Sequence, residues 1–218
     1  MSVKKVYDKQ PDAFEFTKEN LVLAENILNK YPKERKKSAV MPLLYLAQNQ
    51  NDNWIPLAAL KYIGKFLSMP YINVYEIATF YSMYNLSPVG KYFVQVCTTT
   101  PCLLRGANEI VKACQKKISK NENTISENGM CSWTEVECLG ACVNAPMMQV
   151  NRDYYEDLSK NNIEKILDSF MQDDPIKPGS FRNRKSSAPE NNKINGNGIN
   201  KFIPILMPLS SIPLIQFY

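Results

Sequence analysis

Four cysteines fall into two close pairs, Cys97 with Cys102 and Cys138 with Cys142, with four and three residues between the members. Thiolates are soft ligands for iron and zinc. Two pairs on two turns match what a 2Fe-2S cluster needs, two thiolates on each of two sulfide-bridged irons. On this reading Cys97 and Cys102 hold one iron, and Cys138 and Cys142 hold the other. Pro101 stiffens the first loop and Gly140 relieves the second. The hydroxyls of Thr98, Thr99 and Thr100 and the amides of Gly140 and Ala141 offer hydrogen bonds that offset the burial of a negatively charged group. Arg105 adds a positive charge nearby. The chemistry is electron transfer rather than bond-making on a substrate.

The chain contains no histidine, which excludes a Ser-His-Asp triad, a His–Glu zinc site and a Rieske-type ligand together. A four-cysteine structural zinc, and with it a non-redox interaction module, is the alternative of another class. Zinc ribbons use two-residue spacers, shorter than those here. Disulfides belong to exported proteins, and the polar start Met1–Asn20 has no apolar secretory core. It also lacks the Arg-rich composition of a mitochondrial transit peptide, the first arginine being Arg35. A bacterial cytoplasmic setting, or a processed organellar one, is expected. Two cysteines lie outside the pairs. Cys114 falls on an apolar helix face and is expected as a core thiol; Cys131, in the loop Asn121–Ser132, is expected at the surface.

Each pair begins where a strand-like run ends. Tyr92, Val94 and Val96 alternate with Phe93 and Gln95 and run straight into Cys97. Thr134–Cys138 and Met147–Val150 predict two more strands, with Asn151-Arg152-Asp153 as a hairpin turn before Tyr154–Tyr155. Arg105–Ile118 has helix spacing, and Ile163, Ile166, Leu167 and Phe170 predict a last amphipathic helix. The order strand–helix–strand–strand–helix implies a small α/β sandwich.

Upstream the signal is helical. Leu21, Ala24, Leu28 and Tyr31 recur at helix spacing until Pro32, and Val40–Gln50 is strongly apolar. Pro56 suits the first turn of a helix over Leu57–Leu67. Asn73 with Glu76 has the form of a capping box opening a helix to about Tyr84. Residues 1–13 are expected as a flexible terminus, 14–88 as a helical bundle and 89–174 as the cluster domain. Residues 175–201, rich in Pro, Asn, Gly, Ser and Lys, are expected to be disordered. On this basis, truncation after Gly179 leaves cluster content unchanged. The apolar end Phe202–Tyr218 is broken by Pro204, Pro208 and Pro213 and is too short for a membrane helix of about 20 residues. It completes a disordered tail over 175–218, with a hydrophobic docking strand for a partner as the alternative reading of the apolar end.

Charge excludes one class of partner. Residues 1–174 carry 20 basic and 20 acidic side chains, so the net +5 comes from the tail, where six basic residues face only Glu190. A neutral body has no electrostatic footprint for nucleic acid. A dinucleotide fingerprint and a P-loop are both missing, since Gly196-Asn197-Gly198 has no third glycine at the required spacing. An electron carrier of this kind needs a partner to supply its electron.

Three segments carry a resemblance to a known family. They are SAVMPLLYLAQNQ from Ser38, VYEIATFYSMYNLSPVGKYFVQVCTTTPCLLRGA from Val74, and EVECLGACVNAPMMQVNRDYYEDL from Glu135. The match extends upstream through Phe14, Tyr31-Pro32 and Arg35, and downstream through Ile176-Lys177-Pro178-Gly179. The chain resembles the small 2Fe-2S subunit of NADH:quinone oxidoreductase, respiratory complex I. This resemblance implies an α+β chain with an N-terminal helical bundle, then a thioredoxin-like α/β ferredoxin domain holding the cluster through Cys97, Cys102, Cys138 and Cys142. It implies FMN and NAD on the partner NADH-binding subunit only, other peripheral-arm subunits as further partners, and no membrane span in this chain. The expected location is the cytoplasmic face of a bacterial inner membrane, or the matrix side of the mitochondrial one. An auxiliary, electron-buffering role off the main path to quinone is also implied. The homologous subunit of an NAD-linked hydrogenase or formate dehydrogenase shares the cysteine pattern and is the near alternative. The family usually ends in polar residues, and Phe202–Tyr218 departs from it.

Overall fold

The computed structural model describes residues 5–187. Residues 188–201 and the apolar end Phe202–Tyr218 lie outside the described residues. The chain divides between Pro88 and Val89 into two units, and the described residues hold seven α-helices and one five-stranded mixed sheet. The architecture is α+β.

The first unit is helical: α1 (Lys18–Leu28), a 3₁₀ segment (Lys33–Ala39), α2 (Val40–Gln50), α3 (Leu57–Phe66) and α4 (Tyr71–Phe80). Thr17 caps α1, its hydroxyl accepting from the Asn20 amide at 3.2 Å, which satisfies one of the orphan donors at a helix start. Leu43, Leu44, Ile55, Leu60 and Ile63 are fully or almost fully buried and form the core of the unit. Polar ties cross it. Tyr84 is completely buried and donates its hydroxyl to the Met41 carbonyl at 2.9 Å; burial raises the phenol above its ordinary range. Gln48 accepts from the Asn85 amide and donates to the Met83 carbonyl. Residues 5–13 lie along this unit, with the Tyr7 amide on the Leu86 carbonyl and the Gln10 side chain accepting from the Leu57 amide.

The capping box expected at Asn73 is not what starts α4. Pro70 is the cap residue, α4 begins at Tyr71, and Asn73 already donates its amide to the Pro70 carbonyl. Proline presets the backbone for a helix start one turn earlier than the Asn–Glu pattern. The helix also stops short of Tyr84, because Tyr81 turns extended with ψ 123°.

The second unit runs β1 (Tyr92–Cys97), α5 (Thr100–Leu104), α6 (Ala107–Lys117), β2 (Cys131–Val136), β3 (Met148–Val150), β4 (Asp153–Glu156), α7 (Lys160–Met171) and β5 (Gly179–Ser180). The strand order is β2-β1-β3-β4-β5. The β1–β2 and β4–β5 pairs are parallel, and β1–β3 and β3–β4 are antiparallel. The β1–α6–β2 crossover places α6 on the sheet, where Ile110 and Cys114 bury against Val94, Val96 and Trp133; Ile163, Ile166, Leu167 and Phe170 of α7 join the same core. The Trp133 indole, 1% exposed, donates to the Ser119 carbonyl at 2.8 Å, the partner a buried indole N–H requires. Asn151 takes the positive φ of 53° that the β3–β4 hairpin needs. Its side chain also accepts from the Phe93 amide and donates to the Lys91 carbonyl.

Three expected boundaries shift. The helix expected from Arg105 begins at Ala107 as α6, because Gly106 sits at φ +103° before it, and the separate short helix α5 precedes both. The strand expected over Thr134–Cys138 begins three residues earlier and ends before Cys138. Strict alternation misses its start, since Cys131, Ser132 and Trp133 are all buried. The buried Ser132 is satisfied by accepting from the Gly90 amide at 2.9 Å. Finally, the composition break at Pro175 does not end the ordered chain, for β5 pairs with β4 and residues up to Ser187 contact the second unit.

Candidate metal centre

Cys97 is the last residue of β1, and Cys102 lies inside α5. Beyond the end of β2, Cys138 leads a turn that ends at Cys142, the first residue of a 3₁₀ segment Cys142–Asn144. Since β1 and β2 are adjacent and parallel, with Cys97 opposite Val136, both cysteine turns leave the same end of the sheet. The Thr98 amide ties them, donating to the Val136 carbonyl at 3.1 Å. Gly140 makes the second turn with φ +73°, a conformation that glycine adopts at no steric cost.

The four cysteines lie on two turns at this one end of the sheet. Cys97 and Cys102 are buried, while Cys138 and Cys142 are exposed. Buried Ala107, Ala141, Ala145 and Met147, with half-buried Leu139 and Tyr154, pack around the first pair. Within each turn the two sulfurs are neighbours, Cys102 beside Cys97 and Cys142 beside Cys138. Between the turns they feel each other's charge, Cys97 acting on Cys142 and Cys142 on Cys102. Among the described residues no three or more Cys, Asp or Glu side chains converge on one ion position. The arrangement is instead two pairs on two neighbouring turns.

The electrostatics differ from thiol to thiol. Burial pushes Cys97 up, but hydrogen bonds from Thr99, from backbone amides and from Cys102 bring it below the ordinary thiol value. The Thr99 hydroxyl lies 3.4 Å from its sulfur. Burial and the neighbouring Cys97 push Cys102 up to about 12. Burial and then Cys138 raise Cys142. Raised thiols such as Cys102 and Cys142 would give up their protons where a metal cation takes their place.

The expected sulfur donors divide. Thr99 reaches Cys97, and the Gly140 amide reaches the Cys138 sulfur at 3.4 Å. Thr98 turns its hydroxyl to the Val136 carbonyl instead. Arg105 lies exposed at the end of α5. Cys114 is fully buried, as its helix face implies, and burial pushes it up to about 12. Cys131 is not a surface thiol: it opens β2 at 0% exposure, with its thiol also raised to about 12 by burial.

Sequence reasoning missed the braces behind the second turn. The Tyr154 hydroxyl donates to the Leu139 carbonyl at 2.7 Å. Asn144, 2% exposed, donates to the Glu156 carboxylate at 2.7 Å. The adjacent acids Glu156 and Asp157 at a strand end were the available signal, since buried carboxylates require partners.

A family model described as thioredoxin-like [2Fe-2S] ferredoxin matches residues 24–171. A subunit of the NADH-quinone oxidoreductase of Rickettsia typhi is 52% identical over 160 residues, covering 73% of this chain and 94% of that protein. The corresponding NADH-quinone oxidoreductase subunit of Rhizobium meliloti is 47% identical over 194 residues, covering 87% of this chain and 70% of that protein. Among solved structures, an NAD+-reducing [NiFe]-hydrogenase in the H2-reduced state aligns with a TM-score of 0.51 at 16% identity. That alignment covers 60% of this chain and only 22% of the hydrogenase chain, and it establishes likeness of fold alone. With two cysteine turns at one end of its sheet, the chain belongs to the thioredoxin-like [2Fe-2S] ferredoxin family.

Proposed function

We propose that this chain is the electron-transfer subunit of an NADH:quinone oxidoreductase, complex I, holding one 2Fe-2S cluster through Cys97, Cys102, Cys138 and Cys142. The observation that carries the ligand set is the placement of two cysteine turns, two thiols on each, at one end of adjacent parallel strands. The donor set fits the group, since each iron takes two thiolates and no fifth protein ligand is called for. When bound, the cluster supplies one-electron chemistry, its net charge going from about −2 to about −3 on reduction. The rest is the work of the chain. Cys102 and Cys97 are shielded from water by Ala107, Ala141, Ala145 and Met147. Thr99 and the Gly140 amide direct hydrogen bonds at sulfur, on Cys97 and Cys138 respectively, which favours the more negative state. The Cys138–Cys142 pair is exposed and is the side from which an electron enters or leaves.

The partner is a flavin-bearing, NADH-binding subunit, because this chain has no nucleotide motif of its own and its relatives are named as subunits of an NADH-quinone oxidoreductase. FMN and NAD belong to that partner. The place of the chain is the peripheral arm, on the cytoplasmic face of a bacterial inner membrane. A mitochondrial relative in Dictyostelium discoideum, 46% identical over 174 residues, makes the matrix side its organellar counterpart. Among the described residues no helix is long and apolar enough to cross a membrane. The hydrogenase likeness rests on fold, whereas the complex I relatives match along the sequence, and this favours complex I.

Co-purification tests the assignment. Affinity-tagged chain isolated from its native cells brings down a flavoprotein that oxidises NADH. Recovery of hydrogenase or formate dehydrogenase subunits in its place would overturn the assignment.

A further inference from the structure

The segment after the break at Pro175 returns to the second cysteine turn and holds it. The 3₁₀ segment that begins at Cys142 is three residues long and makes few bonds of its own: Asn144 N to the Ala141 carbonyl and Ala145 N to the Cys142 carbonyl. So short a turn is marginal without support. Its supports come from the end of β4 and from residues 180–187. The Asp157 amide donates to the Asn144 carbonyl at 2.8 Å. The Asn144 side chain donates to both the Glu156 carboxylate and the Lys185 carbonyl, each at 2.7 Å. The Ser187 amide donates to the same Glu156 carboxylate at 2.9 and 3.0 Å.

Arg184 is the centre of this arrangement. Its Nε donates to Asp157 at 3.1 Å, its Nη2 to the other oxygen of Asp157, and the same Nη2 to the Val143 carbonyl at 3.2 Å. The Asp157 side chain is completely buried, and Ser180 donates to it at 2.5 Å. The Ser180 oxygen also accepts from the amides of Arg182 and Arg184, which sets the course of the segment. A buried carboxylate with a forked cation is a rigid post. Val143 follows Cys142 directly, so fixing its carbonyl restrains the backbone one residue from the Cys142 sulfur.

We propose that Arg184 is a positioning residue for the metal centre: anchored on Asp157, it clamps the Val143 carbonyl and, together with the Glu156–Asn144 tie, keeps Cys142 at ligand distance. The inference rests on the ligand set proposed above. Only arginine serves, because a planar fork bonds the carboxylate and the carbonyl together and an ammonium group does not.

The test uses the full-length chain loaded with its cluster under anaerobic conditions. Cluster loss to an iron chelator is followed by visible absorbance, well below the melting temperature, and melting of the cluster-free chain is measured in parallel. Groups behind a metal ligand change metal retention by about 10-fold or more. Arg184→Ala therefore speeds cluster loss by about 10-fold. Arg184→Lys keeps a cation beside Asp157 and melts like the wild type, yet still loses its cluster several-fold faster. That separation is one a merely structural role would not produce. Wild-type loss rates in both variants, or rates that only follow the melting temperature, would overturn the inference. If the wild-type chain itself takes up no 2Fe-2S cluster, the ligand set fails and this inference with it.

Discussion

Cys97→Ala and Cys142→Ser each abolish the visible and electron paramagnetic resonance signals of the cluster, while Cys114→Ala and Cys131→Ala leave them intact. The contrast follows from position rather than from residue type. Cys97 and Cys142 belong to the two turns at one end of the sheet, and removing either leaves one iron with a single protein thiolate. Cys114 and Cys131 are fully buried and belong to the separate hydrophobic core between the sheet and its helices. Their replacement by alanine removes one buried sulfur and costs stability of about 1 kcal/mol, without touching the cluster pairs. Iron and sulfide content of each variant, measured with its spectrum, checks the pattern. A cluster that survives Cys97→Ala, or one that is lost with Cys131→Ala, contradicts the ligand set.

Gly90→Ala unfolds the second unit, or comes close to it. A Cβ at Gly90 would lie 2.4 Å from the Cys131 carbonyl carbon, 2.6 Å from the Ser132 nitrogen and 2.7 Å from the Cys131 Cα. All three are backbone atoms of β2, so no side-chain rotation relieves the clash. The strand itself must move, against six paired positions with β1 and the Gly90–Ser132 hydrogen bond. Overpacking that side chains can accommodate costs about 1–3 kcal/mol, and a clash with paired backbone lies at or above the top of that range. The effect reaches the metal centre, because β2 delivers the Cys138 turn. Denaturant melts of the full chain with and without cluster measure it. A variant that melts like the wild type would show that β2 has room to shift.

The placement of the two cysteine turns was legible because its signals are local. Cys97 ends an alternating run, Gly140 supplies a turn, and the structure puts all four thiols at one end of the sheet. Asn151 was legible for the same reason, since a positive φ in a two-residue hairpin selects it. What was not legible depended on distant parts of the chain. Cys131 read as a loop residue because the burial of Cys131-Ser132-Trp133 breaks the period of two, and the partner of the buried Ser132, the Gly90 amide, lies 42 residues away. The Asn73–Glu76 pattern competed with Pro70, and the proline started the helix first. The segment 175–187 has the composition of a disordered tail, yet Arg184 and Ser187 find buried carboxylates at the end of β4. Truncation after Gly179, harmless on composition alone, removes Arg184 and Ser187 and so is expected to loosen the cluster.

The central claim is that two pairs of thiols hold a redox-active pair of irons. It is tested most directly by metal and sulfide analysis of anaerobically purified protein, together with its electron paramagnetic resonance spectrum before and after reduction. The account predicts about two iron and about two sulfide per chain, silent when oxidised and showing a single-electron signal when reduced. Stoichiometric zinc with no reducible chromophore would contradict it.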